Sequence, residues 1–165
     1  MNSIPLYGSG AAILPVDIAS FNGVSMSKLW FLVDTGATAT TIPKTTLIDE
    51  IGYTDEWIQK NKIVLPENEK PKMANGKRAN VYKIPITRMT IATYEIQHDY
   101  VLTSDSVNLS FLLGLDILSY FKFCFDFDAV DSDAGYGRMF YEFRKSRMKN
   151  FAKLGEPFAH RFNEG

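Results

Sequence analysis

The stretch FLVDTGATATTIP, Phe31 to Pro43, decides how this chain is read. An apolar run, Phe31-Leu32-Val33, leads straight into Asp34, Thr35 and Gly36, and a second β-prone run from Ala39 to Ile42 follows. A carboxylate at the end of a buried strand is costly unless partners satisfy it or its charge is used. The glycine two positions later lets a backbone N–H approach that carboxylate, and it tolerates dihedrals that a Cβ would resist. By average residue usage, a chain of this length contains an Asp-Thr-Gly by chance only a few per cent of the time, roughly. The apolar lead-in makes an ordinary surface turn a poor explanation.

Working outward, β signals dominate. Ala11 to Ala19 alternates loosely, Asn22-Gly23 is a turn signal, and Lys28 to Asp34 is the next strand. Ala39 to Ile42 reads as another short strand. Pro43 suits a helix start, so Lys44 to Ile51 is expected as a short helix closed by Gly52. Asp55 is expected to cap a second helix, Glu56 to Asn61. Asn75-Gly76 is a hairpin signal between Ile63–Leu65 and Val81–Thr87, and Met89–Ala92 and Tyr94–Leu102 make a further pair of strands. In FLLGLDILSYFKFCFDF, Phe111 to Leu113 reads as a fully buried strand and Asp116 as the N-cap of a helix from Ile117 to Phe121. An aromatic strand, Lys122 to Asp128, follows, and DSDAGYG then turns into RMFYEFRK to complete a hairpin. Residues 1–144 are expected as one domain, with 145–165 a basic tail, helical or disordered.

Composition narrows the function classes. The 165 residues suit one domain; hydrophobic residues make up 45% and charged residues 22%, as in an ordinary globular protein. The net charge of -1 gives no general attraction to nucleic acid or anionic lipid. Charge is unevenly placed, with seven Lys and Arg against three Glu from Arg138 onward. The single cysteine, Cys124, excludes an internal disulfide framework and a multi-cysteine zinc site, and its aromatic neighbours predict a buried, inert thiol. No window approaches a membrane span, and the N-terminus lacks a basic signal region, so the expected compartment is the cytoplasm. His98 and His160 stand in no base–nucleophile arrangement, Ser104 to Ser110 holds no serine-hydrolase elbow, and Gly8-Ser9-Gly10 lacks the context of a phosphate loop.

FLVDTGAT and LLGLDILSYFKFCFDF, with PKMANGKR between them, resemble the retropepsin family of aspartic proteases, the single-domain relatives of pepsin. The resemblance runs from about Ala11 to Phe143. It implies a mostly β chain, folded as a closed acid-protease β-barrel with one or two short helices, a C-terminal tail and a homodimeric assembly. It also implies catalytic roles for Asp34, Thr35 and Gly36, and a substrate-contacting Ala37. A flap over the substrate would carry Met73, Ala74, Asn75, Gly76 and Lys77. Unlike glycine-rich viral flaps it holds only Gly76, with Lys77 and Arg78 beside it, so it is expected either to move less or to favour acidic substrate positions. Leu113, Gly114 and Asp116 would form the element that passes under the catalytic loop.

The chemistry of that family needs two carboxylates holding one water and sharing one proton, because like charges about 3 Å apart cannot both ionise. One accepts a proton from the water as it attacks the amide carbonyl, and the other donates to the carbonyl oxygen. This chain holds a single Asp-Thr-Gly, so such a centre requires two copies, which a two-fold homodimer supplies. Thr35 would then reach across to the opposite loop. No metal or organic cofactor is needed, and the partners are a second copy and a peptide or protein substrate, not nucleic acid or membrane. Many viral members carry an arginine directly after the second glycine and an acidic residue two positions after Asp-Thr-Gly; here Leu115 and Thr38 stand there. The alternative is a retropepsin-fold dimer that binds peptides or protein partners without cutting them.

Overall fold

Side-chain alternation builds the first hairpin. In the computed structural model, which describes residues 2–7, 12–92, 94–96, 98–130 and 135–144, strand β2 (Ile13–Ala19) buries Leu14, Val16 and Ile18 completely. β1 (Asn2–Pro5) precedes it. A turn at Gly23 (φ +76°) returns the chain into β3 (Met26–Val33), which pairs antiparallel with β2 so that Leu14 faces Phe31 and Val16 faces Leu29. The apolar lead-in to Asp34 is therefore not buried throughout. Phe31 is inside, Leu32 points out and Val33 is half-buried, because a strand turns alternate residues to opposite faces.

The described residues are mostly β with a few short helices. After β3 come α1 (Lys44–Thr46), a π-helical turn (Leu47–Ile51) and α2 (Asp55–Asn61). Gly52, at φ +98°, closes the turn with its N–H on the Leu47 carbonyl. Thr54, not Asp55, caps α2: its hydroxyl accepts the Trp57 N–H at 3.1 Å, while Asp55 lies inside the helix and pairs with Lys44. The remaining strands are β4 (Ile63–Val64), β5 (Tyr82–Pro85), β6 (Met89–Ile91), β7 (Tyr94–Ile96), β8 (Tyr100–Thr103), β9 (Leu112–Leu113), β10 (Phe121–Asp126) and β11 (Arg138–Phe143). α3 spans Leu115–Leu118, so Phe121 belongs to a strand rather than to the expected helix.

Three sheets result, in the orders β1-β11-β10, β7-β6-β2-β3-β9 and β4-β5-β8. The second and third meet through single bridges at Thr41, to Leu102 and to Leu112, so the described strands do not form one continuous closed barrel. Ala39 to Ile42, expected as a strand, supplies only those bridges. The expected long strand Tyr94–Leu102 is likewise two: β7 pairs with β6 and β8 with β5, and the chain changes sheets at His98 and Asp99. The core lies where these layers converge, around Phe31, Ile42, Ile84, Leu113 and Phe121. Each such side chain contributes roughly 1.5–3 kcal/mol by leaving water.

β10 corrects one expectation. Phe121, Phe123 and Phe125 turn inward, so Lys122, Cys124 and Asp126 turn outward, and the Cys124 thiol is exposed rather than buried. Its aromatic neighbours signal an inward face that the cysteine itself does not share. No helix among the described residues is long and apolar enough to cross a membrane. The expectations for Gly8-Ser9-Gly10, for most of the DSDAGYG loop, and for the tail from Lys145, including His160, fall outside the described residues.

Two glycines test this packing in different ways. A Cβ on Gly114 would lie 2.7 Å from the Ala39 carbonyl carbon and oxygen, whereas one on Gly76 meets nothing within 4 Å but would sit at φ +79°. Gly114→Ala should destabilise the protein by about 3 kcal/mol through overpacking. Gly76→Ala should cost about 1 kcal/mol, from backbone strain alone. Chemical denaturation of the two variants beside wild type measures both.

Candidate active site

The candidate site begins with a crossing of backbones. β9 runs parallel to the end of β3, and Asp34 N–H donates to the Leu113 carbonyl at 3.0 Å. On its other side the same segment meets the far arm of the loop: Thr41 N–H donates to Leu112 O at 2.9 Å, and Leu115 N–H to Ala37 O at 2.9 Å. Leu112 to Asp116 thus threads between the two arms of the Phe31–Thr41 loop. Gly114 makes the passage possible, because Ala39 occupies the space that a side chain would need.

Side chains lock the crossing. The buried Thr40 hydroxyl donates to Asp116 Oδ1 at 2.7 Å and accepts the Gly114 N–H at 3.1 Å, while Thr40 N–H donates to Asp116 Oδ2 at 3.0 Å. His98, 4% exposed, brings Nε2 to 3.3 Å from Asp116 Oδ2, at ion-pair distance, with its ring against Tyr100. Burial alone would push the Asp116 carboxyl up; His98 and Thr40 outweigh it and hold it below the ordinary carboxylate range. Asp116 is therefore not the N-cap expected of it. Gly114 occupies the cap position of α3 with no side-chain bond, and the Asp116 carboxylate, which accepts the Ile117 N–H at 2.9 Å, also reaches back across the crossing.

Above the crossing, Asp34 is half-buried and Thr35 and Gly36 are exposed. Gly36 N–H donates to Asp34 Oδ1 at 2.9 Å, and a Cβ on Gly36 would come within 3.2 Å of that oxygen. Close approach is thus the reason for a glycine here; its φ is not in the left-handed region, so the expected need for unusual dihedrals does not apply. Asp34, Gly36 and Ala37 line a cleft of about 690 Å³ whose opposite bank includes Met73 and Ala74.

The predicted residues divide among four places. Asp34, Gly36, Ala37, Met73 and Ala74 face the shared cleft. Asn75, Gly76 and Lys77 form the exposed tip of a turn, in which Lys72 bridges Arg78 and Met73 N–H donates to Lys77 O at 2.8 Å. Leu113, Gly114 and Asp116 lie in the crossing beneath, and Thr35 faces outward from the loop. Thr40 and His98 were missed. A threonine in a TATT run and a histidine at a strand break carry no local signal, since their partner, Asp116, is remote in sequence. Among the described residues no group of three His, Cys, Asp or Glu is placed to hold a metal ion.

The chain matches no protein-family model and no curated protein. Among solved structures it is similar to a retropepsin-like aspartic protease from Rickettsia conorii, with 19% identity and a TM-score of 0.43 over 84% of this chain and 86% of that one. A likeness at that level leaves the chemistry to be argued from the residues of this chain.

The crossing has a pH signature. A carboxyl held below its unfolded value of 3.8 contributes stability that is complete above that pH and is lost as pH falls through the lower folded value. Asp116→Ala should therefore cost roughly 3 kcal/mol near neutral pH, where it strands His98 and Thr40. The gap to wild type should narrow once pH falls below about 3.8. Denaturant midpoints of both proteins between about pH 6 and about pH 3 test the sign.

Proposed function

We propose that the chain is half of an aspartic endopeptidase of the retropepsin kind, completed when a second copy brings its own Asp34 beside the first across a two-fold axis. The observation that carries this is the placement of Asp34. Its carboxylate is held by the Gly36 N–H at 2.9 Å, on a loop strapped from below by the Leu112–Asp116 crossing, at the edge of a cleft of about 690 Å³. Thr35 and Gly36 are exposed, so the side from which a symmetry mate would approach is open.

In the proposed dimer the two carboxylates share one proton. The ionised carboxylate takes a proton from the bound water as its oxygen attacks the scissile carbonyl, and the protonated one donates to the carbonyl oxygen. Collapse of the tetrahedral intermediate then breaks the C–N bond as a proton passes to the leaving nitrogen. The hairpin from Lys72 to Arg78 serves as the flap that excludes water. In this reading residues 1–144 are the enzyme unit and 145–165 an appended tail.

Asp34→Asn changes one atom of the side chain and should leave circular dichroism and sedimentation unchanged. It should lower peptide cleavage by roughly 10³-fold or more. Excess Asp34→Asn protein should also inhibit wild type, because mixed dimers carry a single carboxylate. Cleavage retained in pure Asp34→Asn protein overturns the proposal. A wild-type dimer that cuts nothing between mildly acidic and neutral pH overturns it in favour of a peptide-binding dimer.

A further inference from the structure

The proposed hydrolysis needs only carboxylates and water, yet the cleft beside Asp34 has two unlike banks. One, on the Asp34 loop and residues 109–112, is lined by the small or apolar side chains of Ala37, Ala39, Leu109 and Leu112. The other carries Lys70, Lys72 and Arg78 against a single acid, Glu69. Lys70 is half-buried and held by Glu67 at 2.9 Å, so it is not available to a ligand. Lys72 and Arg78 differ. They pair as an antiparallel bridge, which places both side chains on one face of the hairpin. Among the described residues neither lies within ion-pair distance of a carboxylate.

Arg78 is also pre-positioned. Its Nη1 donates to the Lys70 carbonyl at 2.6 Å, which fixes the guanidinium across the base of the hairpin and leaves its other N–H groups free to meet an anion. A planar, oriented guanidinium is suited to a carboxylate, and the adjacent Lys72 ammonium adds to the same field.

We infer that Lys72 and Arg78 set substrate specificity: the cleft takes peptides with an Asp or Glu side chain beside an apolar residue, the acid against the hairpin and the apolar group on the Leu109–Leu112 bank. The inference rests on the endopeptidase reading of Asp34. In a homodimer each copy brings its own hairpin, so the preference acts on both sides of the scissile bond.

The test uses a peptide series with a constant apolar sequence and Glu, Gln or Lys at one position near the cut. kcat/KM is measured for wild type, Lys72→Glu and the Lys72→Glu/Arg78→Glu pair. Affinity of the same labelled peptides for Asp34→Asn protein is measured by fluorescence anisotropy. The expected result is about a tenfold preference for Glu over Gln, and more over Lys, that shrinks with added salt and reverses in the double variant. Lys72→Glu alone leaves the Arg78 hydrogen bond intact, so a partial shift in that variant supports the inference even where the double variant fails to fold. Cleavage with no dependence on peptide charge, unmoved by Lys72→Glu, overturns this inference and spares the endopeptidase reading. Charge-selective binding without cleavage supports the inference and overturns that reading; neither binding nor cleavage overturns both.

Discussion

The loop that carries Asp34 rests on a largely buried charge, Asp116. Asp116 accepts both the N–H and the hydroxyl of Thr40 and lies at ion-pair distance from His98, while the same Thr40 hydroxyl accepts from Gly114. A carboxylate so placed is tolerated because Thr40, Ile117 and His98 supply partners to its oxygens; an apolar environment would raise the cost of each missing one. The network ties together three segments remote in sequence: two form the crossing beneath Asp34, and His98 braces it from the side. Positional precision at Asp34 therefore derives from contacts that never touch the cleft.

The crossing also explains how the cleft comes to have two banks of different character. From Thr41 one bridge runs to β9 and another to β8, so the sheet that leads into Asp34 and the sheet that carries the hairpin are joined at this residue as well as through their shared core. The hairpin itself hangs from β4 and β5, with few buried groups beyond Ala79 and Val81. A bank with little core is free to be charged, whereas the bank built on the crossing draws its small and apolar side chains from the edge of the core. Segments of low local packing are also the ones able to open and close over a ligand.

A good part of this arrangement was legible in the chain. The Asn75-Gly76 turn, the Gly52 helix stop and the Asp-Thr-Gly loop are local matters, decided by residues whose conformational limits act within a few positions. Where the reading went wrong, a local rule met a tertiary competitor. Asp116 accepts the Ile117 N–H at 2.9 Å, but its carboxylate also serves Thr40 and His98, and Gly114 rather than Asp116 takes the cap position. Thr54 stood one residue ahead of Asp55 and took the cap of α2. Cys124 was judged by its neighbours in sequence, whereas strand alternation put it on the opposite face from all of them.

The amino-acid order by itself determined that this is a mostly β chain, that Asp34 ends an apolar strand, and that only one Asp-Thr-Gly exists to supply a carboxylate. Those are properties of periodicity and count, which need no partner. Only the tertiary structure decided that Gly114 passes against the Ala39 backbone, that Thr40, His98 and Asp116 meet, and that Lys72 and Arg78 overlook the Asp34 cleft. Such meetings join residues far apart along the chain, and their energy depends on burial and direction, neither of which a linear sequence carries.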